Sequence, residues 1–339
     1  MLTRNRPLRR SAGFTLIELM VSLAAMFIIV GYLMGTFTFQ HQTYVVVDQV
    51  SEAQQNTRAI AALLERDVRN AGYMVPPAGA TCGIDNDDSP DIFFVSDADA
   101  IRPIDELGAV LAGQKLGTSQ FSRTGTGSVV FTVNDVVIDG EATYDTDGNG
   151  SSDSDFQING GAILVDTANL DRGVLCGTVT GISATLPQQL TVNFSPGAET
   201  LAGLASNAEQ IVLIPAHVYS VTSDNPPELH RNGQLLAKDV EDLQMAWFFD
   251  TDLDGQTDAA EYRGESASNS YDSEAQNGNE LREVRVNLVL RTRDDDPRNP
   301  NATGTGQGTE NRVTAIPGDD GRRRRIHTGT VRVRNVPAS

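Results

Sequence analysis

From Phe14 the chain opens on an apolar run that reaches Phe39 and is broken by one carboxylate, Glu18. Its first part, 14–33, supplies the ~20 residues that take a helix across a ~30 Å hydrocarbon layer. Further on, Val46, Val50, Ala53, Thr57, Ile60 and Leu64 recur at steps of four and three, with Asp48, Glu52, Arg58, Glu65 and Arg66 between them. That spacing predicts an amphipathic helix. No proline interrupts 14–75, and Gly72 followed by Pro76 and Pro77 supplies the stop. The two patterns join into one predicted helix of about 85 Å at ~1.5 Å per residue, with 14–39 in lipid and 40–72 packed on a globular domain.

After 73 the apolar residues come in short runs among Gly, Asp, Asn, Ser and Thr. They predict strands at 91–95, 129–138, 162–165, 173–182, 190–194, 210–221, 228–236, 281–293 and 324–334. Asn232-Gly233 between apolar flanks is a hairpin signal, and 283–290 and 330–334 alternate as half-buried strands do. The predicted fold class is α+β: a long N-terminal helix on a mostly antiparallel β domain, 73–339. Length allows two domains there, but no linker divides it, and 294–320 reads as a polar, mobile loop.

Ahead of the apolar run, residues 1–13 carry Arg4, Arg6, Arg9 and Arg10 and no acid, which predicts a cytoplasmic leader. A secretory signal ends its apolar region at a small-residue cleavage site after about 7–15 residues. Here the run continues through Ile28, Val30, Leu33 and Met34, so no cut on the far side of the membrane is expected.

The stretch SAGFTLIELMVS, 11–22, resembles the class III signal of type IV pilins and pseudopilins. The resemblance implies cleavage by the prepilin peptidase after Gly13, N-methylation of Phe14, and a meeting of Glu18 with the amino group of an adjacent subunit. Physical chemistry supports that pairing. An acid at bilayer depth costs roughly 2.5–3.5 kcal/mol if the aspartate figure is borrowed, and a free ammonium beside it neutralises both charges. Gly31 and Gly35 fit close helix packing or, near the end of the span, a segment able to unwind; the second reading is preferred.

Three later stretches, VEDLQMAW at 240–247, LREVRVNLVLR at 281–291 and RRRIHTGTVRVRN at 323–335, are together similar to PilW-type minor pilins. That resemblance implies an inner-membrane single-pass subunit, N-terminus inside, that passes into a pilus fibre with its domain periplasmic or extracellular. Implied partners are other minor pilins, the major pilin and a tip adhesin. Implied roles are assembly initiation or the tip complex, and through them twitching motility, adhesion or DNA uptake. A type II secretion minor pseudopilin and a non-polymerising, membrane-tethered, calcium-dependent adhesion module are the alternatives.

Charge narrows the partners. The formal charge is -19, and loss of the leader's arginines takes it to about -23. Nucleic acid is therefore disfavoured, and the local run Arg322–Arg325 is expected in a solvated loop or in internal salt bridges. Part of the negative charge is patterned. Asp250, Asp252, Asp254, Gly255, Asp258 and Glu261 fill positions 1, 3, 5, 6, 9 and 12 of an EF-hand-type loop, with the Gln256 carbonyl at position 7. Hard oxygen ligands at this spacing select Ca2+; a solvated acidic hairpin tip is the alternative. Thr257 departs from the pattern, which wants an apolar residue there. A weaker second site, Asp145, Asp147, Asn149 and Asp153, lacks the closing acid because Phe156 stands in its place. Asp85, Asp87, Asp88 and Asp91 form a third cluster, expected to be solvated.

Cys82 and Cys176 both fall outside the membrane in this topology, and an oxidising compartment predicts a disulfide between them. The four histidines, His41, His217, His230 and His327, show no ligand spacing, and no hydrolase, zincin or phosphate-loop motif occurs. The chain is expected to be a substrate of the leader peptidase and methylase and not an enzyme.

Overall fold

Thr15 starts the first helix, α1 (Leu16–Asn70): its hydroxyl accepts the Glu18 N–H at 3.3 Å, satisfying one of the backbone donors that a helix start leaves unpaired. The structure is a computed structural model that describes residues 14–73, 75–97, 114–116, 121–124, 128–132, 156–166, 170, 173–183, 189–194, 211–264, 271, 276–297, 309–310, 312 and 321–336. Two compact units are present, 1–49 and 50–339.

In the first unit Phe14, Leu16, Ile17, Met20, Phe27 and Ile28 are all exposed. A helix apolar on every side suits lipid, and among the described residues α1 is long and apolar enough to cross a membrane. Its hydroxyls are satisfied internally: Ser22, Thr36 and Thr38 donate to the carbonyls four residues back, Glu18, Tyr32 and Met34, at 2.7, 3.0 and 2.9 Å. No hydroxyl in that set needs water. A Cβ on Gly31 or Gly35 would meet nothing within 4 Å, so packing within one chain does not require glycine at either place.

In the second unit the helix buries Ala53, Thr57, Ile60, Ala61, Leu64 and Val68, the stripe expected from the four-three spacing and its continuation. It ends where Gly72 takes φ +81°, a conformation that costs a side chain dearly. Asn335 donates its amide to the carbonyls of Asn70 and Ala71 at 3.0 and 3.3 Å, capping the helix from the far end of the chain.

Two antiparallel sheets follow. The larger contains β1 (Thr81–Ile84), β2 (Ile92–Val95), β3 (Gln114–Leu116), β4 (Phe121–Thr124), β5 (Ser128–Thr132), β6 (Gly161–Asp166), β7 (Val174–Ile182), β8 (Gln189–Phe194), β9 (Ile211–Val221), β10 (Glu228–Arg231) and β11 (Gln234–Lys238). Its main path is β1-β2-β9-β6-β7-β8-β5-β4, with β3 and β10 on β9 and β11 on β10. The smaller sheet has the order β13-β12-β14-β15, from β12 (Val240–Phe249), β13 (Tyr262–Arg263), β14 (Leu281–Arg291) and β15 (Arg324–Arg332). Ile60, Leu64 and Val68 of the helix share one core with Phe93, Phe94, Ile214, Trp247, Val286 and Leu288, drawn from both sheets. Trp247 is fully buried and lies 4.3 Å, centroid to centroid, from Tyr271. Gly83 is required beneath it, because a Cβ there would come within 2.2 Å of the indole. A second cluster, with Phe156, Leu164, Leu190 and Leu213, packs separately.

Several expectations are refined. The run 228–236 is a hairpin, β10 and β11, turning at Asn232 and Gly233 with φ +52° and +73°, as a type I′ turn needs. Strand β12 was not predicted as one: it is buried almost throughout, and Asp242 and Gln244 alternate with apolar residues only briefly before the unbroken apolar run 245–249. Of 129–138, residues 133–138 lie outside the described residues. Asp91, expected in solvent, is fully buried. Its oxygens accept the N–H groups of Asn86 and Met245 at 2.9 and 2.7 Å, which makes it a tie between the two sheets. Burial pushes its pKa well above the usual carboxylate range, against those two N–H donors.

Candidate functional site

The N-terminal site is built by the helix start. Gly13 lies outside the described residues; Phe14 is described and exposed. Thr15, as N-cap, and Glu18, three residues inside, have the spacing of a capping box. Among the described residues the Glu18 carboxylate has one hydrogen-bond partner, the Thr15 hydroxyl at 3.5 Å. The arrangement leaves an acid with spare acceptor capacity one turn from the residue that cleavage after Gly13 would turn into an amino terminus.

The acidic loop is shaped by its own side chains. Asp250, at the end of β12, accepts the Gly255 N–H at 3.4 Å, Asp252 that of Asp254 at 3.2 Å, and Asp254 that of Gln256 at 2.7 Å. Gly255 takes φ +83° and Leu253 +61°, which wind the loop inward. Carboxylate oxygens of Asp250, Asp252 and Asp254 come within 4.8 Å of one another. Asp258 and Glu261 are engaged otherwise, in a capping box on the short 3-10 helix Ala259–Glu261. Glu261 takes the Thr251 N–H and hydroxyl at 2.6 and 2.8 Å on one oxygen, and the Asp258 N–H at 2.7 Å on the other. Burial opposes its ionisation, but these donors outweigh burial and hold its pKa below the usual value. The buried Asp250 also accepts from Arg282 Nε at 3.1 Å. Three carboxylates thus converge, one of them shared with a guanidinium. The weaker second site, Asp145, Asp147, Asn149 and Asp153, lies outside the described residues.

Cys82 on β1 and Cys176 on β7 are joined by a disulfide across 94 residues of sequence. Three of the four arginines of the run 322–325 are internally paired: Arg322 to Asp295 at 3.7 Å, Arg323 to Asp296 at 2.6 Å and Arg324 to Glu241 at 2.6 Å. His217 is buried, with Nδ1 2.9 Å from the Asn232 amide. His230 faces Glu228 and His327 faces Glu65, each at 3.2 Å.

Sequence reasoning missed the polar cluster on the outer face of the small sheet. Asp242 and Gln244 on β12 and Arg285 and Asn287 on β14 share that face, and Thr309, Glu310 and Arg312 reach it. Glu310 accepts both Nε and Nη2 of Arg285, at 2.6 and 2.7 Å, and the Asn287 amide. Arg312 pairs with Asp242 at 2.7 Å. Burial raises the Asp242 pKa, with Arg312 pulling the other way. The available signal was the recurrence of polar residues at every second place in two apolar strands, which calls for a second covered face.

Comparison with known proteins places two regions. Residues 8–34 match the family model of the prokaryotic N-terminal methylation motif. Residues 218–335 match that of type IV pilus-assembly protein W, a span that holds the whole small sheet and the acidic loop. A solved type IV-like pilin from Thermus thermophilus is similar over 54% of this chain and 88% of its own, at 12% identity and a TM-score of 0.23. No curated protein matches.

Proposed function

We propose that this PilW-like type IV pilin, a structural subunit and not an enzyme, acts as a minor pilin in the priming or tip complex of the fibre. The observation that carries the reading is Glu18, an acid with spare acceptor capacity and the one charged residue of the apolar run 14–39, inside the methylation motif matched at 8–34. In this reading the prepilin peptidase cuts between Gly13 and Phe14, Phe14 is N-methylated, and Glu18 of one subunit pairs with the new amino terminus of the next. In lipid that pair removes two uncompensated charges at once and fixes registry.

Before assembly the subunit is held by a single inner-membrane span with its leader in the cytoplasm and its domain on the far side. Other minor pilins, the major pilin and a tip adhesin are its partners, and twitching motility, adhesion or DNA uptake its output. The loop at 250–261 holds a structural Ca2+. Asp250, Asp252 and Asp254 form the nucleus; the Gln256 carbonyl, Asp258 and Glu261 are the further ligands. The convergence of three carboxylates within 4.8 Å supports this, and the Arg282 contact tempers the charge available to the ion.

Glu18→Ala in the producing cell tests the reading. Loss of surface pili with normal leader cleavage is the expected result. Intact pili with lost attachment would point to the adhesion module, and intact pili with lost protein export to a secretion pseudopilus; either overturns the proposal.

A further inference from the structure

Strand β15 is the long open edge of the small sheet; the other edge, β13, has two residues. All nine of its residues pair with β14, and no other described strand lies against it. The Thr292 N–H donates to the Arg323 carbonyl at 2.8 Å, and the Val333 N–H to the Arg282 carbonyl at 2.9 Å. Odd-numbered residues of β15 therefore turn their backbone groups to β14, and even-numbered residues turn theirs outward. Ile326, Thr328, Thr330 and Arg332 present N–H and C=O groups to the open side, and all four side chains are exposed, Ile326 by 42%. Proteins commonly blunt such edges with proline, a bulge or a cover. Among the described residues this one has none of these; charge protects only its ends, at Arg324, Arg325 and Arg332, and its centre, Ile-His-Thr-Gly-Thr-Val at 326–331, is largely β-branched.

The charges at its ends select what it accepts. Arg325, Arg332 and Arg334 have no acidic partner among the described residues, on a chain whose formal charge is -19. Pairing β15 with itself in a second copy, in the antiparallel register of greatest overlap, sets Arg332 against Arg324 and Arg334 against Arg322, twice over, so Arg332 and Arg334 meet further arginines, whose carboxylate partners Glu241 and Asp295 are already engaged. Like charges directly opposite destabilise a strand pair. A strand with carboxylates at its ends meets the opposite situation. We propose that the open edge of β15 docks an extended segment of a different protein, β-branched in its centre and acidic at both ends, which joins the small sheet by strand addition. The inference stands on the edge alone, so the pilus phenotype of Glu18→Ala neither supports nor weakens it.

The test uses the full chain in detergent and two fluorescent, end-blocked peptides, Glu-Glu-Val-Thr-Val-Thr-Val-Glu-Glu and its analogue with lysine for each glutamate. The acidic peptide should bind at least about tenfold tighter, two favourable end pairs replacing two repulsive ones. Amide exchange at Ile326, Thr328 and Thr330 should slow on binding. Thr330→Pro removes one outward N–H where an edge tolerates proline and should weaken binding about tenfold or more. Should that variant unfold, Arg325→Glu serves instead, and should narrow or reverse the preference between the peptides. Equal binding of both peptides, binding unchanged in the variants, or no binding of either overturns the proposal. So would self-association of the chain that Thr330→Pro abolishes.

Discussion

Removing the Asp67 carboxylate is expected to loosen the hold of α1 on the sheets more than any other single polar substitution in the helix. Its Oδ2 accepts the Tyr219 hydroxyl at 2.5 Å and Arg231 Nη2 at 2.7 Å, and its Oδ1 accepts Arg66 Nη2 at 2.9 Å. The Asp67 side chain is 2% exposed, Arg231 23% and Arg66 54%. Breaking a buried pair by deleting one partner costs about 3–5 kcal/mol, whereas the half-exposed Arg66 contact belongs with surface pairs worth about 0–1 kcal/mol. Arg231 would keep its place over the Tyr219 ring, 5.7 Å from the centroid, which offsets part of the loss. Asp67→Ala should therefore cost about 3–4 kcal/mol, a fall in Tm of roughly 6–16 °C for a domain of this size. Asp67→Asn, which keeps an acceptor for Tyr219, should cost less. Asp67→Leu with Arg231→Met should recover the part of the loss that comes from stranding the guanidinium, because a buried pair replaced by apolar groups is near neutral, while the buried Tyr219 hydroxyl stays without its acceptor. Thermal unfolding of the full chain in detergent, followed by near-ultraviolet circular dichroism, reads all of these. A loss below about 1 kcal/mol for Asp67→Ala, or a double variant no better than the single, would refute the reasoning.

Calcium should raise the Tm of the full chain and a chelator lower it, and Asp250→Ala with Glu261→Ala should abolish the difference; identical melting in calcium and chelator in the unaltered chain would eliminate the site. Reducing the bond between Cys82 and Cys176 should cost up to about 4.7 kcal/mol in the chain-entropy model for its 94-residue separation, and two free thiols on alkylation of the unreduced protein would refute the bond. Asp242 supplies a pH test. Its pKa is raised in the folded state, so its contribution is fullest below its unfolded value near 4 and is lost as pH rises through the folded one. The stability advantage of the unaltered chain over Asp242→Asn should shrink from acid toward neutral pH; an advantage that grows would mean that Arg312 outweighs burial.

The helix was legible because its signals agree over fifty residues: an unbroken apolar run, a four-three stripe and a Gly-Pro stop. Strands β14 and β15 and the β10–β11 hairpin were legible from alternation and from Asn232-Gly233. Strand β12 was not, since polar Asp242 and Gln244 are buried on one face while Leu243, Met245 and Trp247 are buried on the other. Alternation signals a strand with one wet face, and β12 has none. Glu310 and Arg312 reach that face from far along the chain, so no local pattern announces them. Similarly, Asp91 reads as one more surface acid until Met245 of another sheet is seen to donate to it. Among the site residues, spacing gave the three converged aspartates. It did not give the Arg282 contact or the prior engagement of Glu261, which depend on where β14 and Thr251 lie.

The most direct measurement is the mass of the N-terminal peptide of the protein purified from sheared surface fibres. The expected peptide begins at Phe14 and is about fourteen mass units heavier than the unmodified sequence through one added methyl group. A peptide that retains residues 1–13, or one that begins beyond the apolar helix, would contradict it.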